Sequence, residues 1–334
     1  MGCFLIGVTG RGCTTNGEAL LGSVSDDPYD VRTFVRIVHP EKGIAHVGTE
    51  LVVTRPPSFA ERGYFCEDGD TTRGVNAAGL SFTCALLFES ETQPKNPHPI
   101  SFSLLSRRLM NECRDVKEGI DLFRSAEAVS PPFSVLLADS EGAIAHLEAG
   151  SFGVELIDTF SKEKPGVVFA VNCYQSMDAM QYGDPKASRA DPDNNNGCRL
   201  QNGQKLFEQW KGKIDVNAIS RILSDHEERE RDPLTNPLLE AWGFSICNHG
   251  TRQQNDKDAY PLPWGTVSAE ILQPSTRTLH YCYGWPCGEK PEYLDQFLQE
   301  NSWGTFHPFT VDDKVPSSST KVLTDLKGEL FKAF

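Results

Sequence analysis

Two Gly-Cys pairs near the start of the sequence carry its clearest chemical signal. They are Gly2-Cys3 and Gly12-Cys13, within the stretch MGCFLIGVTGRGCTTNG. A cysteine becomes a nucleophile when a nearby base takes its thiol proton. A cysteine at a new N-terminus carries such a base in its own α-amino group, whose pKa is about 8. Cleavage after either glycine would create this arrangement.

Cleavage at the first pair requires more than the loss of Met1, because Gly2 would still precede Cys3. The expected route is attack of the Cys3 sulfur on the Gly2 carbonyl, an N-to-S acyl shift, and hydrolysis. Turnover would repeat this chemistry on an external amide. The thiolate attacks, a tetrahedral oxyanion forms, the amine leaves, and water or another acceptor releases the acyl group.

The charge of the chain restricts its partners. Its 334 residues include 46 acidic and 32 basic side chains, for a formal charge of -14. Such a surface repels nucleic acids and anionic membranes. The sequence has no signal-peptide pattern and no apolar run of membrane-spanning length, so we expect a cytoplasmic protein.

The ten cysteines are therefore expected to be reduced thiols. None of them forms a C-x-x-C pair, and Cys282 and Cys287 have no His/Cys set beside them. We predict neither a metal site nor a cofactor.

Strands are expected at both ends of the chain, with helix pairs between them. The predicted strands are CFLIGV, EALLGSVS, RTFVRIV, HVGTELVVT, GLSFTCALLF, the three-strand meander FSVLLADSEGAIAHLEAGSFGVELI, GVVFAVN, FSICNH, TVSAEILQ and TLHYCYG. The predicted helices are SFSLLSRRLMNEC, DVKEGIDLFRSA (capped by Asp115), GQKLFEQWKG and DVNAISRILSDH. Asn16-Gly17 predicts a type I′ hairpin turn, and the polar residues from Tyr174 to Gly203 predict a surface loop or lid.

Strands and helices come in blocks, which indicates an α+β fold of two packed sheets covered by helical layers. No G-x-G-x-x-G segment opens a helix, so a dinucleotide-binding sheet is not expected. We predict one catalytic domain over 3–310, after a removed Met-Gly leader at 1–2 and before a peripheral tail at 311–334.

Several segments, in this order, resemble the N-terminal nucleophile hydrolases with a leading cysteine. This superfamily includes isopenicillin-N acyltransferases, bile salt (choloylglycine) hydrolases and penicillin V acylases. The similar segments are CFLIGVTGRGCTTNGEALLGSVSDD, RGVNAAGLSFT, FSVLLADSEGAIAHLEAG, VVFAVN, SICNHG and GTVSAEILQPSTRTLHYCYGWPCG. The resemblance implies a four-layer αββα sandwich of two mostly antiparallel sheets covered by helices. One departure is Ser23 in GSVSD, where bile salt hydrolases often carry arginine.

In that architecture the nucleophile is the first residue of a core strand that returns through a second strand. Between Cys3 and the Asn16-Gly17 turn there is room for a strand of about six residues. Cys13 lies next to the same turn. We therefore predict Cys3 as the nucleophile and Cys13 as a packed thiol. Cys13 remains the alternative nucleophile, because GCTT resembles the cleavage point of the acyltransferases.

The resemblance implies further catalytic residues. Asp26 stands where the family's carboxylate steadies the α-ammonium group or the substrate amine. Asn172 ends the apolar strand VVFAV, and an amide donor at the end of a buried strand suits an oxyanion hole. His249 in CNHG is expected to be structural or supporting, because the α-amine already provides the base.

Candidate substrate contacts come from RGVNAAGLSFTCALLF. Asn76 is a candidate binding residue, with a structural turn as the competing interpretation. Phe82, Leu86 and Phe88 are candidate walls of an apolar pocket for a neutral acyl group or a cationic amine.

The leading interpretation is a cysteine-dependent amidohydrolase that cleaves a small N-acyl or peptide-like amide through an acyl-thioester. The alternatives are an acyltransferase that passes the acyl group to an amine, and an unprocessed binding protein. The expected partner is a small-molecule amide substrate, with no nucleic acid and no membrane. A homo-oligomer is left open.

Overall fold

Two large antiparallel β-sheets lie face to face, and helices cover the outer side of each. The computed structural model describes residues 3–28, 31–53, 71–90, 96–176, 179–183, 195–225, 245–248, 264–289, 304–311 and 321–322.

The first sheet carries the N-terminal strand. Its described strands are β1 (Phe4–Thr9), β2 (Leu20–Pro28), β12 (Gly166–Val171), β13 (Trp264–Gln273), β14 (Thr278–Tyr283) and β15 (His307–Thr310). Their spatial order is β12-β1-β2-β13-β14-β15, with every neighbouring pair antiparallel. The strand β1 is therefore interior, which explains why its sequence FLIGVT is buried throughout.

The second sheet faces the first. Its described strands are β3 (Val31–Val38), β4 (His46–Val53), β5 (Thr71–Asn76), β6 (Ser81–Leu86), β9 (Phe133–Ala138), β10 (Ile144–Gly150), β11 (Gly153–Phe160) and β16 (Lys321–Val322). Their order is β11-β10-β9-β6-β5-β4-β3-β16. The short strands β7 (Ile100–Ser101) and β8 (Val129–Ser130) form a separate parallel pair.

Each sheet has its own helix pair. The helices are α1 (Phe102–Glu112), α2 (Val116–Arg124), α3 (Asn195–Trp210) and α4 (Val216–Leu223). Helices α1 and α2 pack on the second sheet, whereas α3 and α4 pack on the first. The predicted αββα sandwich of two mostly antiparallel sheets is thus confirmed. None of the helices in the described ranges is long and apolar enough to cross a membrane.

Three apolar clusters fill the spaces between the four layers, and strand alternation decides which cluster a residue joins. On β1, Leu5 faces the space between the sheets, as does Cys3 just before the strand. Phe4 and Ile6 face α3 and α4. The Cys3 side chain therefore belongs to the interior between the sheets.

The connection between β1 and β2 differs from the predicted hairpin. The strands do pair antiparallel, with Val8 opposite Leu20, but the intervening loop is too long for a two-residue turn. Gly17 has a φ of +81°. Among the non-glycine residues of the described ranges only Arg277 has a positive φ, so Asn16 does not. Asn16 thus lacks the positive φ that a type I′ turn requires, and that prediction was wrong.

Two other local predictions need correction. Helix α3 begins at Asn195, inside the stretch predicted as a loop. The described residues of FSICNH, Ser245 to Asn248, form bends rather than a strand. The helix cap at Asp115 is confirmed, because its carboxylate accepts a hydrogen bond from the Glu118 N–H. Within the tail, β16 pairs with β3.

Candidate active site

Cys3 lies immediately before β1, between two neighbouring strands. Phe4 pairs with Val171 on β12 and with Val24 on β2. Continuing the first register brings Cys3 opposite Asn172, the residue after β12. The side chain of Cys3 is buried, with 7% of its surface exposed.

The Asn172 side chain holds the backbone nitrogen of Cys3. The Cys3 N–H donates a hydrogen bond to Asn172 Oδ1, and Asn172 Nδ2 donates to the carbonyl oxygen of Leu86 at 2.6 Å. An amide Nδ2 carries two hydrogens, so one remains after the bond to Leu86. Asn172 can therefore orient the Cys3 nitrogen and still offer an N–H.

The thiol of Cys3 lies in an environment with opposing electrostatic effects. Burial raises the pKa of this thiol, whereas the charge of Arg73 lowers it. Arg73 belongs to the second sheet, and its Nη2 lies 3.8 Å from Cys3 Sγ. The charges of Asp27 and Asp26 raise the pKa of Cys3, while a hydrogen bond from the Asp26 backbone lowers it.

Arg73 also forms a buried ion pair with Glu270 of β13, with 3.4 Å between Nε and Oε2. The Glu270 carboxylate accepts hydrogen bonds from Ser23 Oγ at 3.1 Å and Ser268 Oγ at 2.7 Å. Ser23, at the position where bile salt hydrolases often have arginine, thus supports the carboxylate that pairs with Arg73.

Asp26 forms its own buried network on the helix side of the first sheet. Its carboxylate pairs with Arg199 of α3 and accepts hydrogen bonds from Thr266 Oγ1 at 2.8 Å and Asn248 Nδ2 at 3.3 Å. These contacts hold the Asp26 carboxylate, and the Asp26 backbone contacts the Cys3 thiol. The role of this carboxylate at the α-ammonium group stays a prediction. Arg199 Nε and Nη1 are buried, and neither has a hydrogen-bond partner among the described residues.

The neighbouring Asp27 faces the thiol region. It is half-buried. Burial raises its pKa to about 7, against the opposing effect of Arg73. Its carboxyl group can therefore change its protonation state near neutral pH.

Cys13, the alternative nucleophile, lies in the loop between β1 and β2. Its carbonyl oxygen accepts hydrogen bonds from the backbone of Gly212 and Ile214, in the connection between α3 and α4. The side chain is buried, and burial raises the pKa of its thiol. Cys13 thus lies within a loop, whereas Cys3 lies immediately before β1.

The candidate substrate contacts do not gather around the thiol. Asn76 uses its whole amide locally: Oδ1 accepts from Ala78 and Leu80, and Nδ2 donates to the carbonyls of Met110 and Cys113. Its side chain therefore stabilises the turn between β5 and β6 and ties that turn to the C-terminal end of α1.

The apolar candidates lie on the outer face of the second sheet. Phe82 and Leu86 belong to the cluster between this sheet and its helices, with Phe88 packed against it. Leu86 approaches the site only through its backbone carbonyl, which receives the Asn172 amide. His249 lies outside the described residues. Within the described ranges, no three His, Cys, Asp or Glu side chains come together as metal ligands.

The charged residues Arg73, Arg199 and Glu270 are absent from the sequence-based prediction. Strand alternation gives a partial signal for two of them, because Arg73 shares a face with buried Val75, and Glu270 with buried Leu272. Alternation places these charges between the sheets but does not say that they meet. Nothing in the sequence indicated a role for Arg199, because the segment that contains it was predicted to be a loop.

Neither a family model nor a curated protein sequence matches the chain. Solved structures share its fold at low sequence identity. Two mutant forms of conjugated bile acid hydrolase from Clostridium perfringens superpose with TM-scores of 0.55 and 0.54, both at 11% identity. The first alignment covers 95% of both chains, and the second covers 96% of this chain and 97% of the other. Penicillin V acylase from Agrobacterium tumefaciens gives a TM-score of 0.50 at 13% identity, over 84% of this chain and 83% of that one.

Proposed function

We propose, from the premise that this chain has the fold of the N-terminal nucleophile hydrolases, that it is a cysteine-dependent amidohydrolase. Its substrate is a small N-acyl or peptide-like amide. Cys3 acts as the nucleophile once the residues before it, Met1 and Gly2 in this sequence, have been removed. The hydrolase and acylase names of the structures that share the fold support this class of reaction.

The single observation that carries the proposal is the position of Cys3. It stands at the start of an interior strand, with its backbone nitrogen bound to Asn172 Oδ1 and its sulfur facing Arg73. The two atoms that the chemistry needs, the nitrogen base and the sulfur, are thus both held by side chains of neighbouring elements.

The proposed reaction begins with transfer of the thiol proton to the α-amino group of Cys3. The thiolate then attacks the substrate carbonyl carbon. The remaining N–H of Asn172 Nδ2 donates to the developing oxyanion. The α-ammonium group returns the proton to the leaving amine, and water hydrolyses the thioester.

The test compares Cys3→Ser with Cys13→Ser, a matched pair because both thiols are buried. Each purified protein is assayed with acetyl, phenylacetyl and octanoyl para-nitroanilides, and release of para-nitroaniline is measured. We expect the wild type to cleave at least one of these amides, Cys13→Ser to retain most of that activity, and Cys3→Ser to lose it and to keep its Met-Gly leader. The reverse pattern would identify Cys13 as the nucleophile.

A further inference from the structure

We propose that Arg73 is a catalytic residue of the Cys3 site: its guanidinium reaches across from the second sheet, stabilises the Cys3 thiolate, and is held in place by Glu270 of the first sheet. The inference rests on the proposed amidohydrolase function and adds to it the cation that favours the ionised nucleophile.

The geometry of Arg73 suits a bridge between two anions. Its Nη2 lies 3.8 Å from Cys3 Sγ and donates to the carbonyl of Cys84 at 3.2 Å, while Nε lies 3.4 Å from Glu270 Oε2. A guanidinium presents its nitrogens in a fixed plane, so it can meet a carboxylate on one edge and a thiolate on another. The side chains of both Arg73 and Glu270 are buried.

The burial of this ion pair supports a catalytic role. Removing two charges from water is costly, and an apolar pair of similar volume is often at least as stable. The Glu270 carboxylate also accepts hydrogen bonds from Ser23 and Ser268, which compensate part of this cost. Glu270 thus holds Arg73 where its guanidinium lies 3.8 Å from the Cys3 sulfur.

The other charges around the thiol oppose ionisation. Burial and the carboxylates of Asp26 and Asp27 raise the pKa of Cys3, and Glu270 faces Arg73 from the first sheet. Among the described residues, Arg73 is the side-chain cation that lowers the pKa of Cys3. When the thiol proton moves to the α-amino group of Cys3, the resulting thiolate has Arg73 as its side-chain counter-ion.

The experiment measures the pH dependence of Cys3 alkylation by iodoacetamide, resolved by mass spectrometry of the processed protein. The main variant is Arg73→Met/Glu270→Gln, which removes both charges and leaves no buried ion unpaired. We expect the apparent pKa of Cys3 to rise by about one unit or more. The matched control is Arg36→Met/Glu50→Gln, which removes another Arg–Glu pair of the second sheet, at 3.0 Å. This control should leave the alkylation profile unchanged.

Two single variants separate charge from structure. Glu270→Gln leaves Arg73 unneutralised, so we expect the pKa of Cys3 to fall, the opposite direction to the double variant. Arg73→Lys offers one nitrogen where the bridge needs two, so we expect the apparent pKa of Cys3 to rise. This variant provides the test if the double variant does not fold. An unchanged profile in folded Arg73→Met/Glu270→Gln or in Arg73→Lys would overturn the proposal, as would a rise in Glu270→Gln.

Alkylation does not require turnover, so the two proposals fail separately. A wild type that keeps Gly2 while cleaving an amide contradicts the proposed function, whatever the alkylation profiles show. A processed, active wild type whose Cys3 profile is insensitive to Arg73 contradicts only the role of Arg73.

Discussion

Asn172 joins the two sheets at the point where the nucleophile lies. Its oxygen binds the backbone of Cys3 in the first sheet, and its nitrogen binds the Leu86 carbonyl in the second. The sequence suggested only the oxyanion role, from an amide at the end of an apolar strand. The structure adds an orienting role, and the second hydrogen of Nδ2 allows one side chain to have both.

We expect Asn172→Ala to lower kcat by about a hundred- to a thousand-fold, the loss typical of one preorganised oxyanion donor. It should also cost about 1–3 kcal/mol of unfolding free energy, because the Cys3 N–H and the Leu86 carbonyl lose a buried partner. The measurements are kcat on a cleaved para-nitroanilide, the Cys3 alkylation rate and the melting temperature. Near-normal kcat in the folded, processed variant would remove Asn172 from the catalytic machinery.

Helix α3 links the Asp26 network to the nucleophile strand. Arg199 pairs with Asp26, and Gly203, four residues later, lies on the same face of the helix. A Cβ at Gly203 would come within 2.7 Å of the Phe4 ring, next to Cys3. The absence of a side chain at this position lets the helix approach β1 closely.

We therefore expect Gly203→Ala to push α3 away from β1 and to cost about 1–3 kcal/mol by overpacking. The gain in helix propensity, about 1 kcal/mol, offsets part of this loss. The kcat of Gly203→Ala should also fall, because Arg199 moves together with the helix. Urea unfolding and kcat provide the test, with exposed Gln201→Ala as the control on the same helix. Equal stability of the two variants would contradict the close contact.

The elements that could be predicted are those with a strong period. The buried strands, α1, α2 and α4 follow from apolar alternation and helical spacing. The start of α3 could not be predicted, because Asn195, Asn196 and Gly197 are weak helix formers. Tertiary packing overrides that weakness here, since the helix buries Arg199 and Leu200 against the first sheet.

Across the whole molecule, the site combines residues that are distant in sequence. Cys3, Asp26 and Asn172 could be singled out as candidates because each stands in a segment with a recognisable pattern. The pairing of Arg73 with Glu270 could not, because it depends on how one sheet lies over the other. Both sheets must therefore be packed before the thiol has its cation.

If Cys3 works from a free N-terminus, the intact mass of an active preparation must show it. We predict a chain that begins at Cys3, with the mass of Met1 and Gly2 missing, in the same sample that releases para-nitroaniline. Cys3→Ser should show the unprocessed mass and no release. An active wild type that retains Gly2 would contradict this mechanism, because its Cys3 would have no free α-amine to act as base.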